Sequence, residues 1–569
     1  MHINIKQRTM RHLTIVKLFM LALMLSGLHT LPVTAKNVSV LEFGAKPDDG
    51  KDDTRALRKA AEYCRHHPGT TLTVPPGTYR LRDATAEQLE QQVLSGKMGG
   101  DPEKVIFTPY YPYVRGLDFN GSDSVTIEAT GAILMCEGWM EPLSITDCRN
   151  LTVRGLTIDY KRKPFSQGIV QEIKDNSFVV QFDERRIITD DIPITRMTLW
   201  DSSISGFYAE PFYFPRRRLL GNNRVEFEGH LPQRLRGAYI AALHSFHFRP
   251  AIFIGNSTST TLDGVSIHSQ PGMGIVGFDS TDITIHRLSV SPAEGFMFST
   301  NTDATHFASC RGHISFDECS FRGQGDDATN VHGYYHNIAS VEDGTVTLQL
   351  RSPTFTHAQM ADIPRVGDSL ELVRIATLVP EKTLRVTYVE HAPKAKDVKV
   401  RLDGELPENF GEYYLLNASK LPRLSFCRNS VWGQMARGVL VKTRGVEIKG
   451  NIFRGCTGTA VHVGAESGWK EGSHAKDVTI ADNVMVNCGL GAGTQFGASG
   501  IAVVIDAPQT DNTFLHENIR IYGNTIIGNG SNDCGIVVRN ARHVELKDNH
   551  VRGCGKAVST CSTDDIIIK

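Results

Sequence analysis

Val446-Glu447-Ile448-Lys449-Gly450-Asn451 and Val478-Thr479-Ile480-Ala481-Asp482-Asn483 carry one pattern: a short alternating strand, then Gly or Asp, then Asn. The pattern returns in Ile519-Arg520-Ile521-Tyr522-Gly523-Asn524 and in Val544-Glu545-Leu546-Lys547-Asp548-Asn549. Apolar residues at every second position bury one face of each strand. Asn at a fixed corner tolerates the left-handed conformation and can hydrogen-bond to its neighbours in a stack. Cys456, Cys488 and Cys554 each follow their Asn by five residues, as small apolar groups stacked inside successive coils would. Many short strands, Gly and Asn turns and almost no helix predict an all-β chain, a right-handed parallel β-helix.

The repeat extends toward the N-terminus. Val125-Thr126-Ile127, Leu151-Thr152-Val153, Ile283-Thr284-Ile285 and His313-Ile314-Ser315-Phe316 read as earlier rungs. A helix is expected over about Thr54 to His66, with Ala56, Leu57, Ala60, Ala61 and Cys64 as its apolar stripe and Asp52 or Asp53 as its cap. It would cover the open end of the solenoid. Two stretches break the repeat, about 167–247 and 337–421. They contain longer alternating strands, such as Ser177 to Phe182 and Thr345 to Leu350, with hairpin turns between. Both read as small inserted antiparallel barrels. The expected organisation is therefore N-terminal coils over 36–166, the first insertion, coils carrying the chemistry over 248–336, the second insertion, and C-terminal coils over 422–569. The second insertion begins ten residues after Asp327, so it is expected to wall a pocket.

The start of the chain reads as an export signal rather than as fold. Lys6, Arg8, Arg11, His12 and Lys17 precede the apolar run Leu18 to Leu28, and Val33-Thr34-Ala35 suits cleavage by a signal peptidase. A periplasmic or extracellular location follows from that reading. The run is short for a bilayer span, and no membrane segment is expected in the mature chain. The formal net charge of −1 over 569 residues gives no electrostatic case for nucleic acid or an acidic polymer. The eleven cysteines form no CxxC pair, which argues against zinc. Asp48-Asp49-Gly50-Lys51-Asp52-Asp53 does not follow EF-hand spacing and reads as a polar loop leading into the helix.

The chemistry concentrates in Ser299-Thr300-Asn301-Thr302-Asp303 and Gly323-Gln324-Gly325-Asp326-Asp327-Ala328. Asp303 and Asp326 are 23 residues apart, about one solenoid turn, and residues one turn apart stack at roughly 4.8 Å. Three carboxylates would then converge, and like charges that close raise at least one pKa. An acid poised beside a base is what hydrolysis of a glycosidic bond requires. Asp is also common at coil corners, but three acids in register exceed that explanation. Candidate substrate-binding residues are His332, His306, Lys442 and Trp469. His332 and His306 can equally be structural, and Lys442, outward on its strand beside Leu440, can equally be a solvated surface residue. Among Trp139, Trp200, Trp432 and Trp469, only Trp469 lies in a polar loop, where it could face a sugar ring. No metal or cofactor is expected.

Phe43-Gly44-Ala45-Lys46-Pro47-Asp48 and Val74-Pro75-Pro76-Gly77-Thr78-Tyr79 resemble the N-terminal coil of pectin-active β-helix proteins. Asn301-Thr302-Asp303 and Asp326-Asp327 resemble two polygalacturonase motifs. However, Leu440 stands where those enzymes carry a uronate-binding arginine, and their Gly-His-Gly motif is absent from its usual context. The set Asn301 to His306, Gly323 to Gly333, the two insertions and the flanking solenoid resembles more closely the bacterial α-1,3-galactosidases of glycoside hydrolase family 110. That resemblance implies an inverting, metal-free exo-hydrolase acting on terminal α-1,3-linked galactose, as in the blood group B determinant. It implies Asp326 as general acid, with Asp303 and Asp327 handling the attacking water. Alternatives are another inverting β-helix glycosidase of polygalacturonase type and a non-catalytic carbohydrate-binding solenoid. A β-elimination lyase would need a basic site and usually calcium, and neither is apparent.

Overall fold

The computed structural model describes residues 36–108, 111–350 and 361–569. The proposed export segment lies outside these residues. Each coil of the chain supplies three short strands to three parallel stacks, and the whole is a right-handed parallel β-helix. The first stack runs through Glu141–Thr146, Ile252–Gly255, Ile275–Phe278, Thr305–Ala308, the start of Thr329–Glu342, and Val439–Lys442. The second runs through Arg149–Arg154, Thr258–Asp263, Thr281–His286, Arg311–Asp317, Arg423–Cys427 and Arg444–Lys449. The third is an 11-stranded sheet from Gly77–Arg82 to His550–Arg552.

Alternation places Ile314, Phe316, Leu424, Phe426, Val446 and Ile448 inside the coils. Phe316, Phe426 and Phe453 form a column, with ring centroids 5.4 Å and 6.3 Å apart. Each such buried side chain is worth roughly 1.5–3 kcal/mol relative to exposure. The helix Thr54–His66 buries Ala56, Leu57, Ala60, Ala61 and Cys64 in the same core. Asp53 occupies its N-cap position, but its side chain accepts from the Lys46 and Arg80 amides instead; Asp52 Oδ1 accepts from the Thr54 N–H at 3.0 Å. No helix of the described residues is long and apolar enough to cross a membrane.

The corner between the second and third stacks is an asparagine ladder. Asn429 N–H donates to Asn451 Oδ1 (2.8 Å), Asn451 N–H to Asn483 Oδ1 (2.9 Å), Asn483 N–H to Asn524 Oδ1 (3.1 Å) and Asn524 N–H to Asn549 Oδ1 (3.2 Å). The left-handed residue is the one before each Asn: Arg428, Gly450, Asp482, Gly523 and Asp548 have φ between 52° and 67°. This corrects the expectation that the Asn itself turns the chain, and it explains why Gly or Asp precedes Asn451, Asn483, Asn524 and Asn549; Arg428 takes the same conformation before Asn429.

Two sets of antiparallel strands interrupt the coils. In the first, Arg196–Asp201, Tyr239–Leu243, Phe165–Ile173, Ser177–Phe182, Arg224–Glu228 and Arg217–Gly221 pair in that order as an open sheet around its own core. The second closes on itself. Thr329–Glu342 pairs with Thr345–Gln349 and with Tyr413–Asn417, and Asp397–Leu402, Pro380–Glu390 and Ser369–Arg374 complete the circuit. Thr329–Glu342 begins in the first stack and runs on into this barrel, so one strand spans both.

Candidate active site

Asp303 lies two residues before the strand that starts at Thr305, and Asp327 two before Thr329. Thr305 is in register with Thr329, and Thr329 with Val439. Asp303, Asp327 and Arg437 therefore stack one coil apart at the corner between the third and first stacks. The 23-residue spacing suggested Asp326 as the partner of Asp303. The coil is 24 residues long here, so Asp327 takes that place and Asp326 stands beside it. The Ala304 N–H donates to the Asp327 carbonyl (2.9 Å) and the Ala328 N–H to the Arg437 carbonyl (3.1 Å). The coils approach so closely that a Cβ on Gly325 would lie 2.1 Å from the Asn301 carbonyl oxygen, a clash that only glycine avoids.

Oxygens of Asp303, Asp326 and Asp327 lie within 4.8 Å of one another. Asp303 and Asp327 are buried and Asp326 is half-buried. Asp327 is tied down: Arg437 N–H and Nε donate to its Oδ1 (2.7 and 2.9 Å), and Nη2 donates to its Oδ2 (2.8 Å). The Asp327 N–H donates to Asp303 Oδ1 at 3.2 Å. Burial, then the charges of Asp327 and Asp303, push Asp326 up to about 7. Burial, then Asp327, push Asp303 well above the ordinary carboxylate range, against the pull of Arg437 and His247. The site thus sets two acids of raised pKa beside a carboxylate paired with a guanidinium, the separation of roles that acid–base catalysis uses.

The wall beside Asp326 is built by the first insertion. Arg196 Nη1 donates to the Gly325 carbonyl at 2.9 Å, and its guanidinium lies 3.5 Å from the centre of the Phe246 ring and 5.0 Å from that of Tyr213. The second insertion was the expected wall, but its strand from Thr329 leaves the coil at the far end from the acids.

His306 and His332 are buried on the outward face of the first stack. His306 Nδ1 is 2.7 Å from Asp303 Oδ2, the two Nε2 atoms are 2.7 Å apart, and His332 Nδ1 donates to the Gly333 carbonyl at 2.9 Å. Burial lowers His306 to about 4 and His332 to about 3. Lys442 does point outward from the coil, yet it is fully buried, gripped by Glu466 and Glu471. Burial alone would raise Glu466, but Lys442 and Arg437 outweigh it and bring it to about 2. Glu466 and Glu471 bridge the base of a returning loop, and Trp469, 51% exposed, is near its tip. The structure gives Trp469 no contact with the acids. The other three tryptophans pack: Trp139 against Phe248, and Trp200 against Trp432.

Sequence reading missed Arg437, Glu466, Glu471 and Arg196. A signal for Arg437 existed. Gly433-Gln434-Met435-Ala436-Arg437 repeats the frame of Gly323-Gln324-Gly325-Asp326-Asp327, and the Gln324 and Gln434 side chains bond to each other. The 110 residues between them hid the match. Of three residue groups among the described residues that place potential metal-ligand atoms within 4.8 Å of one another, two lie here: the three Asp residues, and His306, His332 and Glu471. The Arg437 guanidinium on Asp327 and the Lys442 ammonium on Glu471 already supply a cation to each, so both sets suit hydrogen bonding better than a metal ion.

The chain is similar to bacterial α-1,3-galactosidases. It is 25% identical over 533 residues to α-1,3-galactosidase A of Shewanella woodyi, covering 86% of this chain and 82% of that protein. It is 26% identical over 544 residues to α-1,3-galactosidase B of Parabacteroides distasonis, covering 85% and 83%. No family model matches. Among solved structures, a mannuronan C-5 epimerase A-module from Azotobacter vinelandii aligns at TM-score 0.43 and 13% identity, over 94% of this chain and 100% of that one. An exopolygalacturonase from Thermotoga maritima aligns at 0.43 and 12%, over 93% and 91%. Neither carries weight for the chemistry. The similarity to these galactosidases covers 85–86% of this chain.

Proposed function

We propose that this protein is an exported, exo-acting glycoside hydrolase that releases terminal α-1,3-linked galactose, and that it inverts the anomeric centre. The observation that carries the chemistry is the placement of half-buried Asp326, pushed up to about 7 by burial and its acid neighbours, beside Asp327, fixed by Arg437. Asp326 donates its proton to the glycosidic oxygen as the C1–O bond breaks. Asp327 takes a proton from the water that attacks C1 from the opposite face. The substrate class rests on the names of the relatives. The charge of the site supports a neutral sugar: with Asp303 and Asp326 protonated, Asp327, Glu466 and Glu471 balance Arg437, Lys442 and Arg196, and Arg437 and Lys442 are already paired with these acids, which leaves no surplus cation for a uronate. An anionic galacturonan would be disfavoured there.

The separation of the acids favours a second reading of the stereochemistry. Nearest oxygens within 4.8 Å are closer than the roughly 6.5–9.5 Å usual for inverting pairs and nearer the roughly 5–5.5 Å of retaining ones. Against retention, the guanidinium clamp on Asp327 makes it a poor nucleophile. The experiment is galactose release from B trisaccharide and from linear Galα1-3Gal, followed by proton NMR. β-Galactose as the first product supports inversion, and α-galactose supports retention. No release from either by folded protein removes the galactosidase reading. The ratio of the two rates reports whether the fucosylated branch is required.

A further inference from the structure

The three acids need a defined proton inventory, and a buried histidine pair sets it. The chain Asp303–His306–His332 ends on the Gly333 carbonyl, which can only accept. His332 must therefore present N–H at Nδ1 (2.9 Å). Its Nε2, when the ring is neutral, accepts from His306 Nε2–H at 2.7 Å. A neutral His306 then has a bare Nδ1, which requires Asp303 Oδ2 to donate across 2.7 Å. Glu471 Oε1 lies 3.6 Å from His332 Nε2, beyond hydrogen-bond reach, and Glu471 Oε2 already accepts from Lys442 and Asn330. It does not reverse the chain.

We propose that His306 is a positioning residue that, with His332, holds a proton on Asp303 Oδ2 and so leaves Asp327 as the only carboxylate able to take the proton of the attacking water. This rests on the glycosidase reading above. The groups facing Asp303 agree with it. Asp327 and Arg437 lie on successive coils, His306 on its own strand, His247 on the 244–248 segment, Glu471 on the returning loop, and Asp326 beside Asp327. Two ionised acids beside one guanidinium in a buried corner would leave an unmatched charge. With the proton on Asp303, the Asp327–Arg437 pair is neutral. During turnover Asp326 loses one proton and Asp327 gains one, while Asp303 changes nothing and keeps Oδ1 under the Asp327 amide. Burial without charged hydrogen-bond partners lowers both imidazoles and supports the neutral rings from which the chain starts.

Infrared difference spectroscopy of the whole protein near pH 6 tests this directly. Subtracting the Asp303→Asn spectrum from wild type should leave a protonated-carboxyl band assigned to Asp303, and His306→Phe should shift that band. In His306→Phe the proton is free to turn toward Asp327, so kcat should fall by about 10–100-fold with KM within about twofold. His332→Gln keeps an acceptor for His306 Nε2–H and should retain the band and most of kcat; His332→Leu should behave like His306→Phe. A carboxylate band in place of the acid band in the Asp303 difference spectrum overturns the inference. That spectrum needs only wild type and the near-isosteric Asn variant, so it decides even if a histidine variant fails to fold. An acid band in a protein that releases no galactose would leave the proton on Asp303 and remove the glycosidase reading instead.

Discussion

Two corners of the solenoid solve the same packing problem in opposite ways. At one, Asn429, Asn451, Asn483, Asn524 and Asn549 stack coil upon coil, and each amide donates to the next and accepts from the last. At the other, Asp303, Asp327 and Arg437 stack with the same periodicity. A neutral amide carries both donor and acceptor, so repetition satisfies every member. A carboxylate carries only acceptors, so repetition creates repulsion that must be relieved by a proton or by a cation. The acid corner uses both: burial and like charge keep protons on Asp303 and Asp326, and Arg437 neutralises Asp327. One corner stores stability, and the other holds reactive protons at a cost in stability.

Removing the acid should break the contrast most severely. Asp326→Asn is expected to lower kcat on Galα1-3Gal by about 10³-fold or more while the fold persists, measured by galactose release and circular dichroism. On 4-nitrophenyl α-galactoside, whose leaving group needs little protonation, the loss should be much smaller. Arg437→Met should cost about 10²–10³-fold in kcat, because Asp327 would lose the guanidinium that orients and neutralises it in a buried corner. Galactose release on folded protein checks this.

The alkaline limb of kcat/KM sharpens the comparison. With Asp326 at about 7, activity on the disaccharide should fall as pH rises through that value, and Asp326→Asn assayed on the aryl galactoside should lose that limb. Stability should follow the same direction. Asp303 has a folded pKa above its unfolded one, so the folded state binds more protons and stability falls as pH rises from about 4 toward the folded pKa. Asp303→Asn should therefore raise Tm at pH 7 by on the order of 1–3 °C and have little effect near pH 4. The mirror-image change is Asn483→Ala. It leaves the Asn451 N–H without its partner and should cost about 1–3 kcal/mol of stability with kcat unchanged, by denaturant melts and assay.

How much could be read without coordinates follows the same division. The period of two and the recurring Asn corner specified the coils, because a solenoid repeats its local solution and each repeat is visible in the chain. Asp303, Asp326 and Asp327 were legible as a cluster, since only one short coil separates them. Their pairing was not, because a coil one residue longer than assumed moves the stack from Asp326 to Asp327. Lys442 was correctly placed on the outward face of its strand, yet its burial between Glu466 and Glu471 depends on a loop that folds back from the next coil. Arg437 lies beyond a whole inserted barrel, and Arg196 comes from the other insertion. By itself the sequence determined the repeat, the outward positions and the presence of an acid cluster, because these depend on neighbours one coil away. Only the tertiary structure decided which acid is clamped, which are left protonated and which wall faces them. Those outcomes depend on charge and burial from residues about a hundred positions apart, brought within 4 Å by the winding of the chain.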